Sequence, residues 1–126
     1  MHESRIQTRW SDFDALGHIT ASAYPVYLDE ARDACLTGAV GSFADWPSVL
    51  VHVSIDYRRE IRHPAVEVVV QTKIADVGRT SVTFEQEVIA PDGVVAATSR
   101  SVLVAWDAAA RAARAISDDD RARLAN

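Results

Sequence analysis

RWSDFDALGHITASAYPVYLDEAR, which occupies residues 9–32, contains the turn and helix signals on which the fold prediction depends. Its first part, residues 11–18, has the small, polar and glycine-containing composition of a turn. Thr20 or Ser22 then offers a helix N-cap, and Pro25 is tolerated in a first helical turn. We therefore predict a polar loop that leads into a helix ending near Gly38.

The predicted helix is amphipathic along one stripe. Apolar and small residues recur three and four positions apart, as they do on the buried face of a helix. The stripe comprises Tyr24, Tyr27, Leu28, Ala31, Ala34, Cys35 and Gly38, and the other sides carry Asp29, Glu30, Arg32, Asp33 and Thr37. The pattern predicts that one face of this helix packs on a sheet.

Strands are predicted on both sides of the helix. A loosely alternating segment from about Glu3 to Trp10 precedes it, and a strict alternation over residues 49–57 follows it. Further strands are predicted at about residues 66–75, 79–89 and 94–106, with a hairpin turn at residues 90–93. Ser117 and Asp120 have the spacing of a capping box that opens a short helix. This order of elements predicts an α+β fold with an antiparallel sheet packed on the helix.

Length and composition favour one domain over residues 1–126. The chain is 48% hydrophobic and contains no Pro- or Ser-rich linker. Its single cysteine cannot form an intrachain disulfide, and the N-terminus shows no apolar signal segment, so a cytoplasmic location is expected. No run approaches the roughly 18 apolar residues of a membrane span. A net charge of -5 argues against nucleic-acid binding.

Residues 9–32 resemble the opening of the 4-hydroxybenzoyl-CoA thioesterase branch of the hotdog superfamily, whose members begin D-x-D-x-x-G-H-V-N-N and continue Y…Y-x-E-x-A-R. The residues that carry the match are Asp12, Asp14, Gly17, His18, Tyr24, Tyr27, Glu30, Ala31 and Arg32. Residues 55–61 with Pro64, and residues 78–81, are similar to later signatures of the family. Thr20 and Ala21 replace the expected asparagine pair. The resemblance implies a hotdog fold, with a long sheet wrapped around a central helix, and hydrolysis of an acyl-CoA.

The resemblance also implies the catalytic residues. Asp14 matches the catalytic aspartate, and a carboxylate either attacks a thioester or deprotonates the attacking water. Without the resemblance, a turn cap is the favoured interpretation of Asp14. His18 matches the histidine before the helix, where it orients Asp14, lines the acyl pocket or serves only the structure. The position of Ala21 is expected to supply the backbone N–H that polarises the thioester carbonyl, which asks nothing of its side chain.

Candidate substrate-binding residues lie elsewhere in the chain. Arg58 and Arg59 belong to the densest basic run, and Arg79, Thr80 and Ser81 stand at a predicted strand start. Guanidinium and hydroxyl groups are suited to the phosphates of coenzyme A, although a solvated charged face is the alternative. Tyr24, Trp46 and the strand valines indicate an apolar acyl pocket.

Other chemistries fit the sequence less well. Asp12 begins a D-x-D pair, but no phosphate loop and no clustered Cys and His accompany it, so no metal or cofactor is expected and Asp12 is assigned to the turn. Cys35 lies within the apolar stripe and fits the core better than a nucleophile. The hotdog hydratase pattern D-x-N-P-x-H separates its Asp and His by five positions, whereas Asp14 and His18 are four apart.

Two expectations about partners remain. The resemblance implies self-association as a dimer or tetramer, because hotdog active sites are built between subunits. The rival function is a non-catalytic protein on the same fold that binds an acyl ligand or serves in assembly. Release of free thiol from acyl-CoA substrates distinguishes this rival from a thioesterase.

Overall fold

The computed structural model describes residues 1–125 as an antiparallel sheet curled against one long helix. The strands are β1 His2–Gln7, β2 Ser48–Tyr57, β3 Glu67–Val77, β4 Ser81–Ile89, β5 Val95–Asp107 and β6 Ala112–Ala113; the helices are α1 Tyr24–Ala39 and α2 Asp118–Ala125. Short 3-10 turns at Trp10–Asp12 and Ala21–Ala23 precede α1. The α+β arrangement predicted from the order of elements is therefore present.

The sheet has the strand order β1-β3-β4-β5-β2, and the two-residue strand β6 pairs with β5. Helix α1 packs on β1, β3 and β4, so the inner face of β2 is left largely uncovered by it. One core cluster lies under the first half of α1 and contains Tyr27, Leu28, Val68, Val70 and Val88. A second cluster lies under its end and contains Cys35, Leu36, Val82, Phe84 and Leu103, closed by Leu124 of α2.

Strand β2 is an edge strand whose apolar side chains are exposed. Val49, Leu50, Val51 and Val53 retain 37%, 41%, 58% and 41% of their accessible surface. The register with β5 shifts between Leu50 and His52, which marks a bulge. An exposed edge of this kind offers both backbone groups and apolar surface to another chain.

Local hydrogen bonds explain two departures from the predicted elements. The first strand was predicted to reach about Trp10 but ends at Gln7, because the Asp12 carboxylate accepts the Arg9 N–H at 2.9 Å and closes a 3-10 turn. Helix α1 ends near the predicted position. At its start, the Thr20 side chain forms no cap bond, and the N-cap residue of α1 is Ala23, whose side chain cannot form one. Ser22 lies inside the 3-10 turn, so the predicted capping side chain is wrong.

The helix stripe was largely correct, with its clearest error at Arg32. This residue was placed on a solvent side, yet it is 2% exposed. Its Nη1 donates to Gln86 Oε1 at 3.0 Å and lies 3.4 Å from Ser101 Oγ, which compensates part of the cost of burying the charge. Burial lowers the pKa of Arg32. Gly38 was predicted to be buried and is exposed.

The C-terminal helix is anchored at its start. Ser117 Oγ accepts the Asp120 N–H at 3.1 Å, which is one half of the predicted capping box. The Asp120 carboxylate turns away from the cap and accepts Trp46 Nε1–H at 2.9 Å. Within residues 1–125, neither helix is long and apolar enough to cross a membrane.

Candidate active site

Asp14 lies in a tight turn immediately before the helix. Its N–H donates to His18 O at 3.0 Å, and its carbonyl accepts the Gly17 N–H at 3.1 Å. Gly17 has a φ of +79°, a left-handed conformation that glycine adopts without steric cost. One carboxylate oxygen of Asp14 accepts the Leu16 N–H at 2.9 Å. The side chain keeps 32% of its accessible surface, so the carboxylate is fixed but still reachable by solvent.

His18 lies beside the second oxygen of Asp14. Its Nδ1 is 3.4 Å from Asp14 Oδ2 and 3.2 Å from Ile19 O. A carbonyl oxygen can only accept, so the bond to Ile19 requires a proton on Nδ1, the same ring nitrogen that faces Asp14 Oδ2. The geometry therefore fits an orienting role for His18 and leaves Nε2 as the free ring nitrogen.

The segment between Asp14 and α1 contains an unused backbone donor. The Thr20 N–H donates to Asp12 O at 2.8 Å, and the Ala23 N–H donates to Thr20 O at 3.0 Å. Among residues 1–125, no hydrogen bond from the Ala21 N–H is found. The first N–H groups of a helical segment have no partner within the helix and carry its partial positive charge. The predicted oxyanion donor is thus unoccupied by the protein itself.

A cavity of about 360 Å³ brings several predicted residues together. It is lined by His18, Ile19, Ala21, Tyr24, Tyr57, Arg58, Arg59 and Glu60. The pKa of Tyr24 is raised by its burial and by the neighbouring Tyr57. Asp14 is not part of this lining but adjoins it through His18. The cavity has an apolar side at the tyrosines and a basic side at the two arginines, which suits a ligand with one apolar and one anionic part.

The two arginines of this cavity already contact neighbouring side chains. Arg58 Nε donates to Thr98 Oγ1 at 3.1 Å, and Arg59 Nη2 lies 2.7 Å from Asp92 Oδ2. Both arginines are exposed, so each can still meet an anion from solvent.

The second predicted phosphate-binding group lies far from Asp14 within one chain. Arg79 and Thr80 form the turn between β3 and β4, where Gly78 N–H donates to Ser81 O at 2.8 Å. Tyr57 pairs with Ala97 at the Asp14 end of the sheet, whereas Ser81 pairs with Val104 at the opposite end. Nine residues of β4 separate the two ends, which corresponds to about 27 Å. A single chain therefore does not bring Arg79, Thr80 and Ser81 to Asp14.

Two residues outside the predicted site contribute to its geometry. Asp12 is buried and accepts Tyr27 Oη–H at 2.6 Å as well as the Arg9 N–H. Burial raises the pKa of Asp12, but the bonds from Tyr27 and Arg9 and the charge of Arg9 outweigh it, so the pKa lies below its ordinary value. Tyr57 belongs to the quoted signature over residues 55–61, yet the sequence pattern gave it no role. Only the contact between β2 and the helix start reveals it.

The structure also bears on the two other chemistries considered, a Cys35 nucleophile and a metal site. Cys35 is 8% exposed in the second core cluster, and burial raises the pKa of its thiol, which disfavours the nucleophilic thiolate. Within residues 1–125, no group of three or more His, Cys, Asp or Glu side chains is arranged to hold a metal ion.

The fold and the site together define a hotdog-fold protein with a carboxylate before its central helix. A family model described as the Thioesterase-like superfamily matches residues 8–124. The chain therefore belongs to that superfamily, as the resemblance in residues 9–32 predicted. No curated protein matches the sequence significantly.

Solved structures agree with this assignment. A protein described as a predicted thioesterase from Bacillus stearothermophilus is 30% identical, with a TM-score of 0.88 over 98% of this chain and 92% of that one. A thioesterase from Thermus thermophilus, complexed with coenzyme A and Zn, is 26% identical, with a TM-score of 0.86 over 97% and 95% of the two chains. These relatives support thioester hydrolysis as the general activity of the fold in this family.

Proposed function

We propose that this protein is an acyl-CoA thioesterase in which Asp14 is the catalytic carboxylate and the Ala21 N–H is the oxyanion donor. The observation that carries the proposal is the pairing of a fixed, solvent-reachable carboxylate with an uncapped helix start, in a chain of the Thioesterase-like superfamily. The coenzyme A bound by the Thermus relative supports an acyl-CoA as substrate.

The proposed chemistry needs no strong general acid. A water molecule attacks the thioester carbonyl while Asp14 takes its proton, and the negative charge that develops on the carbonyl oxygen is stabilised by the Ala21 N–H. The tetrahedral intermediate then expels the thiolate of coenzyme A, which is a weak base and therefore a good leaving group. The thiolate takes up the proton that Asp14 removed from water. In the alternative route, Asp14 attacks the carbonyl and forms an anhydride that water opens. His18 orients the carboxylate in both routes.

Substrate binding is proposed to involve two chains. Antiparallel pairing of β2 with β2 of a second copy would satisfy the exposed edge and place the second copy's Gly78–Ser81 turn at the Asp14 end of the first. Arg79, Thr80 and Ser81 would then contact the nucleotide phosphates from the other subunit. Tyr24 would bound the acyl group, with Arg58 and Arg59 near the cavity mouth. The cytoplasmic location remains a prediction from the sequence.

The proposal is tested by replacing Asp14 with asparagine. We expect Asp14→Asn to fold normally and to lose about a hundredfold or more in turnover, the scale of a missing base or nucleophile. Free thiol released from a panel of short, medium and aromatic acyl-CoAs is measured with a chromogenic disulfide. Asp119→Asn is the matched control, because Asp119 is exposed on α2 and its carboxylate makes no hydrogen bond or ion pair with residues 1–125.

Each result has a defined meaning. Turnover by wild-type protein and by Asp119→Asn, together with its loss in Asp14→Asn, supports the assignment. Full turnover in Asp14→Asn refutes the role of Asp14. Binding of acyl-CoA without any thiol release by the wild type would favour the non-catalytic binding protein. A single turnover in heavy-oxygen water separates the two routes, because label enters the Asp14 carboxylate only through the anhydride.

A further inference from the structure

Tyr57 joins the edge of the sheet to the start of the central helix. It is the last residue of β2, and its Oη–H donates to the Ala21 carbonyl oxygen at 3.0 Å. Its ring meets the Tyr24 ring edge to face, with centroids 5.1 Å apart. The side chain is 52% exposed and lines the same cavity as His18 and Ala21. The phenol therefore both bounds the cavity and holds one peptide group of the turn beside it.

The turn over residues 20–23 otherwise depends on backbone bonds. Asp12 O accepts the Thr20 N–H on one side of Ala21, and Thr20 O accepts the Ala23 N–H across the turn. Thr20 gives no side-chain cap. Among the side chains of residues 1–125, Tyr57 alone forms a hydrogen bond with this turn. The Ile19–Thr20 and Ala21–Ser22 peptide groups, which flank the one that carries the Ala21 N–H, are thus held by Asp12 and Tyr57 respectively.

We propose that Tyr57 is a positioning residue for the reaction: its hydroxyl holds the Ala21 carbonyl so that the Ala21 N–H keeps its direction into the cavity. This rests on the proposed function of that N–H. An oxyanion donor is effective when it is aligned before charge develops, because aligning it during the reaction costs free energy. Without the Tyr57 bond, the Ala21–Ser22 peptide can rotate. The Thr20–Ala21 peptide, which carries the N–H, then loses one of its two fixed neighbouring peptides.

The conservative variant Tyr57→Phe isolates the hydroxyl. It keeps the ring that packs on Tyr24 and removes only the donor to Ala21. We expect kcat to fall about five- to tenfold, the effect of losing one ordinary hydrogen bond, with KM changed less than about twofold. Ser54→Ala is the matched control, because Ser54 lies on the same strand and its hydroxyl also contacts a backbone carbonyl, that of Arg100, at 3.4 Å. Its kcat should remain at the parent value.

A double-mutant cycle distinguishes positioning from general damage. In an Ala21→Pro background the N–H is absent, so removing the Tyr57 hydroxyl should cost little further kcat. A fall of the same size in both backgrounds, or a change in KM with kcat unaffected, overturns the proposal. Unchanged kcat in Tyr57→Phe overturns it as well.

Hydrogen exchange tests the anchoring without relying on thioester hydrolysis. The Ala23 amide, whose N–H donates to Thr20 O across the turn, should exchange several-fold faster in Tyr57→Phe than in the wild type or in Ser54→Ala, because the turn opens more often. Exchange that is unchanged by Tyr57→Phe refutes the anchoring even if the enzyme is active. If exchange accelerates but the wild type releases no thiol from any acyl-CoA, the proposed function fails and the catalytic role of Tyr57 fails with it, whereas the contact itself stands.

Discussion

Mixing two defective variants, Asp14→Asn and Arg79→Ala, should restore activity if each active site takes Asp14 from one chain and Arg79 from another. Within one chain these residues lie at opposite ends of the sheet. The nine residues of β4 run between those ends and span about 27 Å. Antiparallel pairing of two β2 strands would reverse the second copy, so its Gly78–Ser81 turn would stand at the Asp14 end of the first. The mixture therefore tests both the assembly and the shared site.

The size of the restoration follows from counting sites. Asp14→Asn alone should keep about 1% of wild-type activity, and Arg79→Ala about 10% at substrate concentrations below KM, the scale of a lost charge-assisted bond to phosphate. Chains that exchange freely form mixed dimers in about half of the population, and one site in each mixed dimer is intact. Activity should therefore recover to about a quarter of the wild-type value.

The assay is thiol release after the two variants are mixed in mild denaturant and returned to buffer, with each variant treated alone as its own control. If both residues serve a site in the same chain, every site in the mixture carries a defect, and activity should equal the mean of the parents, about a twentieth of the wild-type value. That result would refute the shared site. A truncated acyl-pantetheine, which lacks the nucleotide phosphates, should show no Arg79→Ala defect and no restoration from it.

Two further predictions concern the segment before the helix. Ala21→Pro removes the proposed oxyanion donor but is tolerated in a first helical turn, so it should lower turnover about a hundredfold, whereas Ala21→Gly keeps the N–H and most of the activity. A melting curve and size-exclusion chromatography must show that the proline variant folds. Turnover at the parent rate in the folded proline variant would exclude this donor. Since the pKa of Asp12 lies below its ordinary value of 3.8, its contribution to stability is present above that pH and is lost as pH falls through the folded value. Urea unfolding should accordingly show Tyr27→Phe destabilised by about 1–3 kcal/mol at neutral pH and by less in acid, where the carboxyl is protonated; an equal difference at both pH values would contradict this.

The sequence predicted those parts of the fold that depend on local periodicity. The helix stripe from Tyr24 to Cys35 and the turn at residues 90–93 are present because spacing and turn composition express local preferences. The burial of Arg32 could not be found in this way. Its partners Gln86 and Ser101 lie more than fifty residues away along the chain, so a helical pattern alone predicts a solvent-facing charge.

The candidate site was predictable to the extent that one segment carries it. Asp14, His18 and Ala21 are close in sequence, and the resemblance identified all three. Tyr57 acts through a contact with Ala21 at a separation of 36 residues, which no local pattern encodes. The placement of Arg79 was likewise hidden, because a turn composition shows that a hairpin exists but not which end of the sheet it occupies.

Two features that are unfavourable in an isolated chain have one explanation in common. Strand β2 alternates as a half-buried strand should, yet Val51 and Val53 remain 58% and 41% exposed. The Gly78–Ser81 turn matches a family signature, yet it lies at the wrong end of the sheet for Asp14. Antiparallel pairing of two copies through β2 would bury the exposed valines and bring the Gly78–Ser81 turn of one copy to Asp14 of the other. Since one geometric operation accounts for both, a monomer at micromolar concentration with full activity would remove the explanation for each at once.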